Sequence, residues 1–243
     1  MIRLYKSPLP PGVNIASEYA YQQGEAFDIL VDDCHSKCYI CEDKPTKINV
    51  EHIAPHRNDP ELKYDWANLF IACGHCNSIK GTQFNNILDP TKCDPEEYIA
   101  LSIDPTEDFV GLVKIETLKS DSSTEQTVEL LQKVYNGINA TKIQKVESTN
   151  LRKEHLMPSV HRFMLFINNY RKEPEAGYDI LISNEINRSS IYAAFKRKII
   201  RDNPELSIVF ADALEYFTQQ DKLPYYSKSC CFNALLDICE KKV

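Results

Sequence analysis

Glycine is scarce in this chain of 243 residues, seven in all, which excludes a glycine-rich repeat or a flexible-linker protein. Long hydrophobic runs are missing as well. No uninterrupted apolar stretch, Phe163 to Ile167 included, approaches the length needed to cross a bilayer. The opening residues Met1 to Lys6, followed by Pro8, Pro10 and Pro11, contain no apolar leader core, so the chain is expected in the cytoplasm. Nor is there an overall excess of positive charge: the formal net charge is −7. The 43% of hydrophobic and 26% of charged residues are ordinary for a folded domain and argue against whole-chain disorder.

The net charge hides an asymmetry. Residues 1–140 hold 12 Lys and Arg against 22 Asp and Glu, residues 141–201 hold 12 against 6, and residues 202–243 hold 4 against 7. The basic stretch contains Arg152-Lys153, Arg162, Arg171-Lys172 and Lys196-Arg197-Lys198, with Tyr170, Tyr192 and Phe195 between them. Phosphate neutralisation needs charge of this kind, so the stretch is expected either to grip nucleic acid or a protein, or to be a solvated helix face.

Hydrophobic spacing predicts an amphipathic helix over Asn14–Asp32, interrupted only by Gly24, and two short strands, Lys47–Val50 and Asn68–Ile71, around a polar loop with Pro55 and Pro60. A short helix should follow from about Cys76. Residues 89–107, with Pro90, Pro95 and Pro105, read as a linker with at most a helical turn around Glu96–Ala100. Beyond it, Asp108–Ile115 reads as a strand, Ser122 with Glu125 as a capping box, and Asn150–Arg171, Ser189–Arg201, Pro204–Gln219 and Cys231–Lys241 as helices. This gives an N-terminal arm and helix (1–33), a compact core (34–88), the linker (89–107) and a mostly helical region (108–243).

Nine cysteines, an odd number, in a chain without an export signal point to metal ligands and free thiols. Cys38-Tyr39-Ile40-Cys41 and Cys73-Gly74-His75-Cys76 are two C-x-x-C knuckles bracketing one segment, the pattern of a closed, structural tetrathiolate zinc site. Such zinc supplies folding free energy and performs no hydrolysis. Cys34, His35 and His75 lie beside the knuckles and are read as spare or solvent-facing, because four cysteines already complete the site. Cys93, Cys230, Cys231 and Cys239 have no partnered spacing and are read as core or surface thiols.

Between the knuckles stand Glu51-His52, His56-Arg57, Trp66 and Asn68, and Asn77-Ser78-Ile79-Lys80-Gly81 follows the second. An acid beside a histidine at a strand end offers an oxygen ligand for a hard divalent ion and a base that titrates near neutrality. Asn77, directly after a zinc-bound cysteine, would have its side-chain oxygen fixed opposite Glu51. Trp66 is read as core under the hairpin. Lys80 precedes Gly81, so the G-K-[ST] order of an ATP-binding phosphate loop is absent.

This arrangement resembles the HNH, or ββα-metal, endonucleases over about residues 34–85. The resemblance implies an α+β fold: a zinc-stiffened ββα-metal core near the N-terminus with a mostly α-helical C-terminal region. It implies His52 as general base, Glu51 and Asn77 as ligands of a catalytic Mg²⁺ or Mn²⁺, Asn68 as the residue pinning the loop, and Lys80 near a phosphate. His56 and Arg57 are further substrate-contact candidates, with plain solvation as the alternative for His56. Many relatives carry Asp where this chain has Glu51. The whole-chain layout also resembles the HNH subunits of Septu and retron-associated anti-phage systems, which implies a PtuA-like ATPase partner of the ABC or SMC type and a nucleic-acid substrate, DNA in preference to RNA. The other reading is a non-catalytic zinc-ribbon module that docks an ATPase or nucleic acid.

Overall fold

The computed structural model describes residues 1–104 and 111–220. The helix expected over Asn14–Asp32 is two helices, α1 (Glu18–Gln23) and α2 (Glu25–Asp33), hinged at Gly24. A Cβ at residue 24 would lie 2.7 Å from the Ala20 carbonyl oxygen, so only glycine lets the chain turn this tightly. The turn sends α1 against strand β1 (Ile48–His52) and α2 against a second strand. A single turn of helix, α3 (Pro60–Lys63), is capped by Asp59 and sits in the loop between the strands.

Strand β2 (Leu69–Cys73) pairs antiparallel with β1, with Glu51 opposite Phe70 and His52 opposite Leu69. Leu69, Phe70, Ile71 and Ala72 are all buried, because β2 is covered on both faces and so reads as a continuous apolar run. Helix α4 (Gly74–Lys80) follows at once: the Cys73 thiol accepts the Cys76 N–H, making the cap of the helix a knuckle cysteine. Gly81, at φ +46°, closes it with its N–H on the Asn77 carbonyl. These elements are the ββα unit the sequence implied, and the fold is α+β as expected.

The Glu96–Ala100 turn is shorter than expected, a single 3₁₀ turn over Pro95–Glu97. Ile99–Asp104 is instead strand β3, paired antiparallel with β4 (Leu112–Thr117). The prolines before it mask the apolar residues Ile99 and Leu101, which are buried in the main core. The strand expected over Asp108–Ile115 is thus displaced towards the C-terminus in its described part; 105–110 lie outside the described residues, as do the helix expected over Cys231–Lys241 and the thiols of Cys230, Cys231 and Cys239.

Helix α5 (Ser122–Asn136) begins one residue earlier than a Ser122 cap would allow. Asp121 is the cap, accepting the Ser123 and Thr124 N–H groups, and the capping box is formed elsewhere, by Thr141 and Gln144 at the head of α6 (Lys142–Asn150). A wide π-type turn over Leu151–Leu156 runs α6 into α7 (Met157–Lys172). Then come α8 (Tyr178–Glu185), which the spacing did not reveal, α9 (Ala193–Arg201), α10 (Pro204–Val209) and α11 (Ala211–Gln220). No helix among the described residues is long and apolar enough to cross a membrane.

One core runs from the ββα unit into the helices: Leu30, Ile40, Phe70 and Ile79 join Leu131, Val134, Tyr135 and Phe195. At about 1.5–3 kcal/mol for each large apolar side chain, this shared burial stabilises the small ββα unit and the helices together. Phe163, Ile167, Ile182 and Ile200 form a second, smaller cluster among α7 to α10. Polar ties reinforce the first junction. Tyr135 donates its hydroxyl to the Cys41 carbonyl at 2.9 Å, the Ala194 N–H donates to Glu42 Oε2 at 3.1 Å, and the buried Lys37 ammonium donates to the Arg188 and Ser190 carbonyls.

The basic stretch is a solvated face only in part: Lys142, Lys145, Lys153, Arg162, Arg171, Lys172 and Arg201 are exposed. Arg152, Arg188, Lys196 and Arg197 are buried. Lys196 pairs with Glu185, Arg188 with Asp94 at 2.6 Å, and Arg197 with Glu96 at 2.8 Å. These three cations neutralise acids of the same chain, which leaves the local charge excess to the exposed ones.

Candidate functional site

Cys38 and Cys41 project from the turn after α2, Cys73 from the end of β2 and Cys76 from the first turn of α4, and their four Sγ atoms all lie within 4.8 Å of one another. Cys41 Sγ is 3.9 Å from Cys73 Sγ. A tetrahedron with Zn–S bonds of ~2.3 Å has edges of about 3.8 Å, so the cluster has the size zinc requires. Burial opposes ionisation of Cys38, but hydrogen bonds from the other three cysteines outweigh it and hold this thiol well below its usual range. Burial and the crowded sulfurs push Cys76 up. Four thiols packed so closely call for a cation that lets all of them ionise.

His75, expected to be spare, is engaged on both ring nitrogens. Nδ1 lies 3.0 Å from Glu147 Oε2 and Nε2 lies 3.0 Å from the Val134 carbonyl oxygen, tying the second knuckle to α5 and α6. The sequence carried no sign of this, since both partners lie some sixty or more residues away. Cys34 is a buried thiol, pushed up to about 12 by its burial, and Cys93 is half-buried with its thiol on the Asp89 carbonyl.

The second centre lies at the end of β1. Glu51, His52, His56 and Asn77 line one open cavity of about 500 Å³ together with Glu18 and Tyr21 of α1. His52 Nε2 is 3.0 Å from the Lys63 carbonyl oxygen. A carbonyl only accepts, so Nε2 carries the proton and the neutral ring keeps its lone pair on Nδ1. Burial holds His52 below the usual imidazole range, and Tyr21 meets its ring edge-on with centroids 5.9 Å apart.

Asn68 is buried and spends its whole amide on the loop: Oδ1 accepts the Ala54 N–H at 2.8 Å, and Nδ2 donates to the Ala54 and Leu62 carbonyls at 2.9 Å each. The loop so pinned carries Lys63, the partner of His52. Trp66 is partly buried against the core, with its indole N–H on the Ser7 carbonyl at 2.9 Å. The His56 ring lies tilted at 58° against the His52 ring with centroids 4.6 Å apart, and its Nδ1 accepts the Asn58 N–H. Arg57 and Asn58 both have positive φ, +47° and +69°, which turns the exposed Arg57 side chain out at the cavity rim. Backbone strain of this kind, at non-glycine positions, tends to gather at functional sites.

Lys80 departs from expectation. It is fully buried, and its ammonium donates to Glu51 Oε1 at 2.9 Å and to the His52 carbonyl at 2.8 Å, so it braces the acid-histidine pair from behind and meets no phosphate in this arrangement. Tyr39 donates to the other oxygen, Glu51 Oε2, at 2.9 Å. Burial raises Glu51 above the usual carboxylate range, and Lys80 and Tyr39 only partly offset that. Each carboxylate oxygen keeps a second lone pair. With the Asn77 amide and water, that is a hard-oxygen donor set of the kind Mg²⁺ takes, so the residues present fit a divalent ion.

Comparison with known proteins agrees with this geometry. Residues 32–83 match the HNH endonuclease family model. The chain is similar to the Septu protein PtuB of Bacillus thuringiensis, 34% identical over 79 residues, which is 30% of this chain and 31% of that protein, so the match spans about a third of its relative's length. No solved structure matches. By motif, by ββα topology and by family model, residues 32–83 match an HNH endonuclease domain, and the likeness to PtuB is confined to about a third of the chain.

Proposed function

We propose that this protein is a metal-dependent endonuclease that hydrolyses phosphodiester bonds of nucleic acid, and that it serves as the effector nuclease of an anti-phage complex with an ATPase partner. The observation that carries the reading is the convergence of His52, Glu51 and Asn77 on one cavity, with the His52 tautomer fixed by Lys63. The family match and the PtuB likeness support the reaction class and the defence setting. The ATPase and the preference for DNA come from the resemblance in layout.

In this mechanism His52 Nδ1 takes a proton from water, and the resulting hydroxide attacks phosphorus in line with the leaving 3′ oxygen. A divalent ion held by Glu51 and Asn77 would stabilise negative charge on the phosphate and leaving group. Asn68 keeps the Lys63 carbonyl in place and so maintains the proton on Nε2. Tyr39 and Lys80 fix the carboxylate of Glu51. The four cysteines would hold structural zinc, which positions Asn77 one residue beyond the last ligand.

The test is cleavage of plasmid DNA and of RNA by the purified protein, alone and with a PtuA-like ATPase, in Mg²⁺ and in Mn²⁺. His52→Ala should lose about 10²- to 10⁴-fold in rate while still binding metal and substrate. Asn77→Ala should regain part of its loss at high Mn²⁺. A His52→Ala protein that cuts as fast as an active parent would overturn the mechanism, and the non-catalytic zinc-module reading would follow if the cutting also traced to a contaminant.

A further inference from the structure

The catalytic cavity continues into a second one of about 480 Å³. The two share Gln22, Val50 and Asn77, so the assigned metal ligand stands at their junction. The second cavity is bounded by α1 and β1 and lined by Gln22, Gln23 and Phe27 on one side and Lys47 and Asn49 on the other. Part of that wall, α1, lies outside residues 32–83 altogether.

The chemistry of the lining is selective. Lys47 is its sole ionisable side chain, whereas a groove that held only the phosphate backbone would be lined by several lysines and arginines. Its polar groups are mostly carboxamides, each with a donor face and an acceptor face. Several amides elsewhere in the molecule are spent on the protein itself: Asn68 on Ala54 and Leu62, Asn136 on Val113, Gln144 on Thr141 and Ser78. No such bond joins the Gln22, Gln23 or Asn49 side chain to another described residue. Paired donors and acceptors beside a half-buried aromatic ring match the edge and face of a nucleobase, since Asn and Gln make bidentate pairs with base edges and aromatic rings take the face.

We propose that Gln22, Gln23 and Asn49 form a base-reading subsite for the nucleotide adjoining the scissile phosphate, with Lys47 on the flanking phosphate. The proposal rests on the nuclease reading, because Asn77 fixes where the scissile phosphate sits. With that phosphate at the shared wall, the neighbouring base enters the second cavity, and the enzyme discriminates at that one position.

The experiment selects bound strands from pools of randomised single-stranded DNA and RNA with the full-length His52→Ala protein in Mg²⁺, so that nothing is cut, and sequences them. A base preference at one position is expected, and Gln22→Ala, Gln23→Ala or Asn49→Ala in the same background should erase it. A bidentate amide–base pair is worth about 1–3 kcal/mol, so the enrichment lost should be about 5- to 150-fold. Lys47→Ala should instead weaken all sequences alike and lower the salt slope. Circular dichroism and zinc content verify that each variant is folded. Binding without base preference, or a preference untouched by all three substitutions, overturns the subsite and leaves the nuclease reading standing. A folded protein that binds neither DNA nor RNA, with a parent that cuts neither, overturns both.

Discussion

The Lys80 ammonium lies 2.9 Å from Glu51 Oε1, and neither side chain is more than 7% exposed. The last residue of α4 and the acid near the end of β1 therefore form one buried ion pair directly behind the cavity that His52 lines. Removing one partner of such a pair costs about 3–5 kcal/mol, because the other charge is left buried and uncompensated.

Lys80→Met should accordingly lower the urea midpoint by an amount equivalent to several kcal/mol, and Glu51→Gln in the same chain should recover part of it. The slope of log Kd against log salt for nucleic acid should match that of the parent, because the ammonium neutralises a carboxylate and no phosphate. A slope reduced by about one would return Lys80 to the substrate.

For the thiolate centre, elemental analysis should find one zinc per chain. Cys73→Ser should lose the metal and unfold residues 34–85, since metal binding and folding are one equilibrium in so small a unit. The Tyr135–Cys41 and Ala194–Glu42 bonds should carry that loss into the helices, visible as a drop in helical circular dichroism beyond what α2 and α4 account for. Zinc-free protein with the native spectrum would refute the assignment.

Charge reversal in the stretch 196–198 should separate the two buried cations from the half-buried one. Lys196→Glu would set two carboxylates together against Glu185, and Arg197→Glu would do so against Glu96; each should cost about 3–5 kcal/mol and leave little soluble protein. Lys198 pairs with the exposed Asp202 at the end of α9, so Lys198→Glu should cost less than about 1 kcal/mol. Thermal melts of the three variants check the order.

Lys6 gives a pH dependence of defined sign. Its side chain is buried over the Trp66 ring, with its ammonium on the Trp66 and Leu69 carbonyls, and burial brings its pKa down to about 8 despite nearby carboxylates that raise it. The unfolded chain therefore holds more protons than the folded one between about pH 8 and the usual lysine value, and this residue's contribution to stability rises with pH across that window. The full effect is roughly 3 kcal/mol. Denaturation of the parent and of Lys6→Met from pH 7 to 10.5 should show the parent gaining on the variant as pH rises; a constant gap would show that Lys6 titrates normally.

What could be read from sequence was what is encoded locally. The two knuckles, Glu51-His52, Asn68 and Asn77 lie within about forty residues and in a fixed order, so their types and spacing were enough to suggest the ββα unit. The positions that eluded sequence reasoning depend on distant partners. Lys80 looked like a phosphate contact because nothing local shows that Glu51 and the His52 carbonyl close over it. His75 looked spare because Glu147 and Val134 arrive from α6 and α5. The basic stretch looked continuous because Asp94, Glu96 and Glu185, which neutralise three of its cations, are dispersed through the chain. Gln22 and Gln23 belong to a segment with no motif and acquire meaning only once Gly24 turns α1 across β1.

The bonds from residues 188–194 to Lys37 and Glu42 join distant parts of the chain at the four-cysteine centre. They hold the turn that carries Cys38 and Cys41 on both flanks, from the segment between α8 and α9 and from the first turn of α9. The head of α9 is thus tied to one jaw of the four-cysteine clasp, while the other jaw, through Cys76, is continuous with Asn77. The four-cysteine clasp is therefore joined through its own flanks to residues more than 150 positions further along the chain.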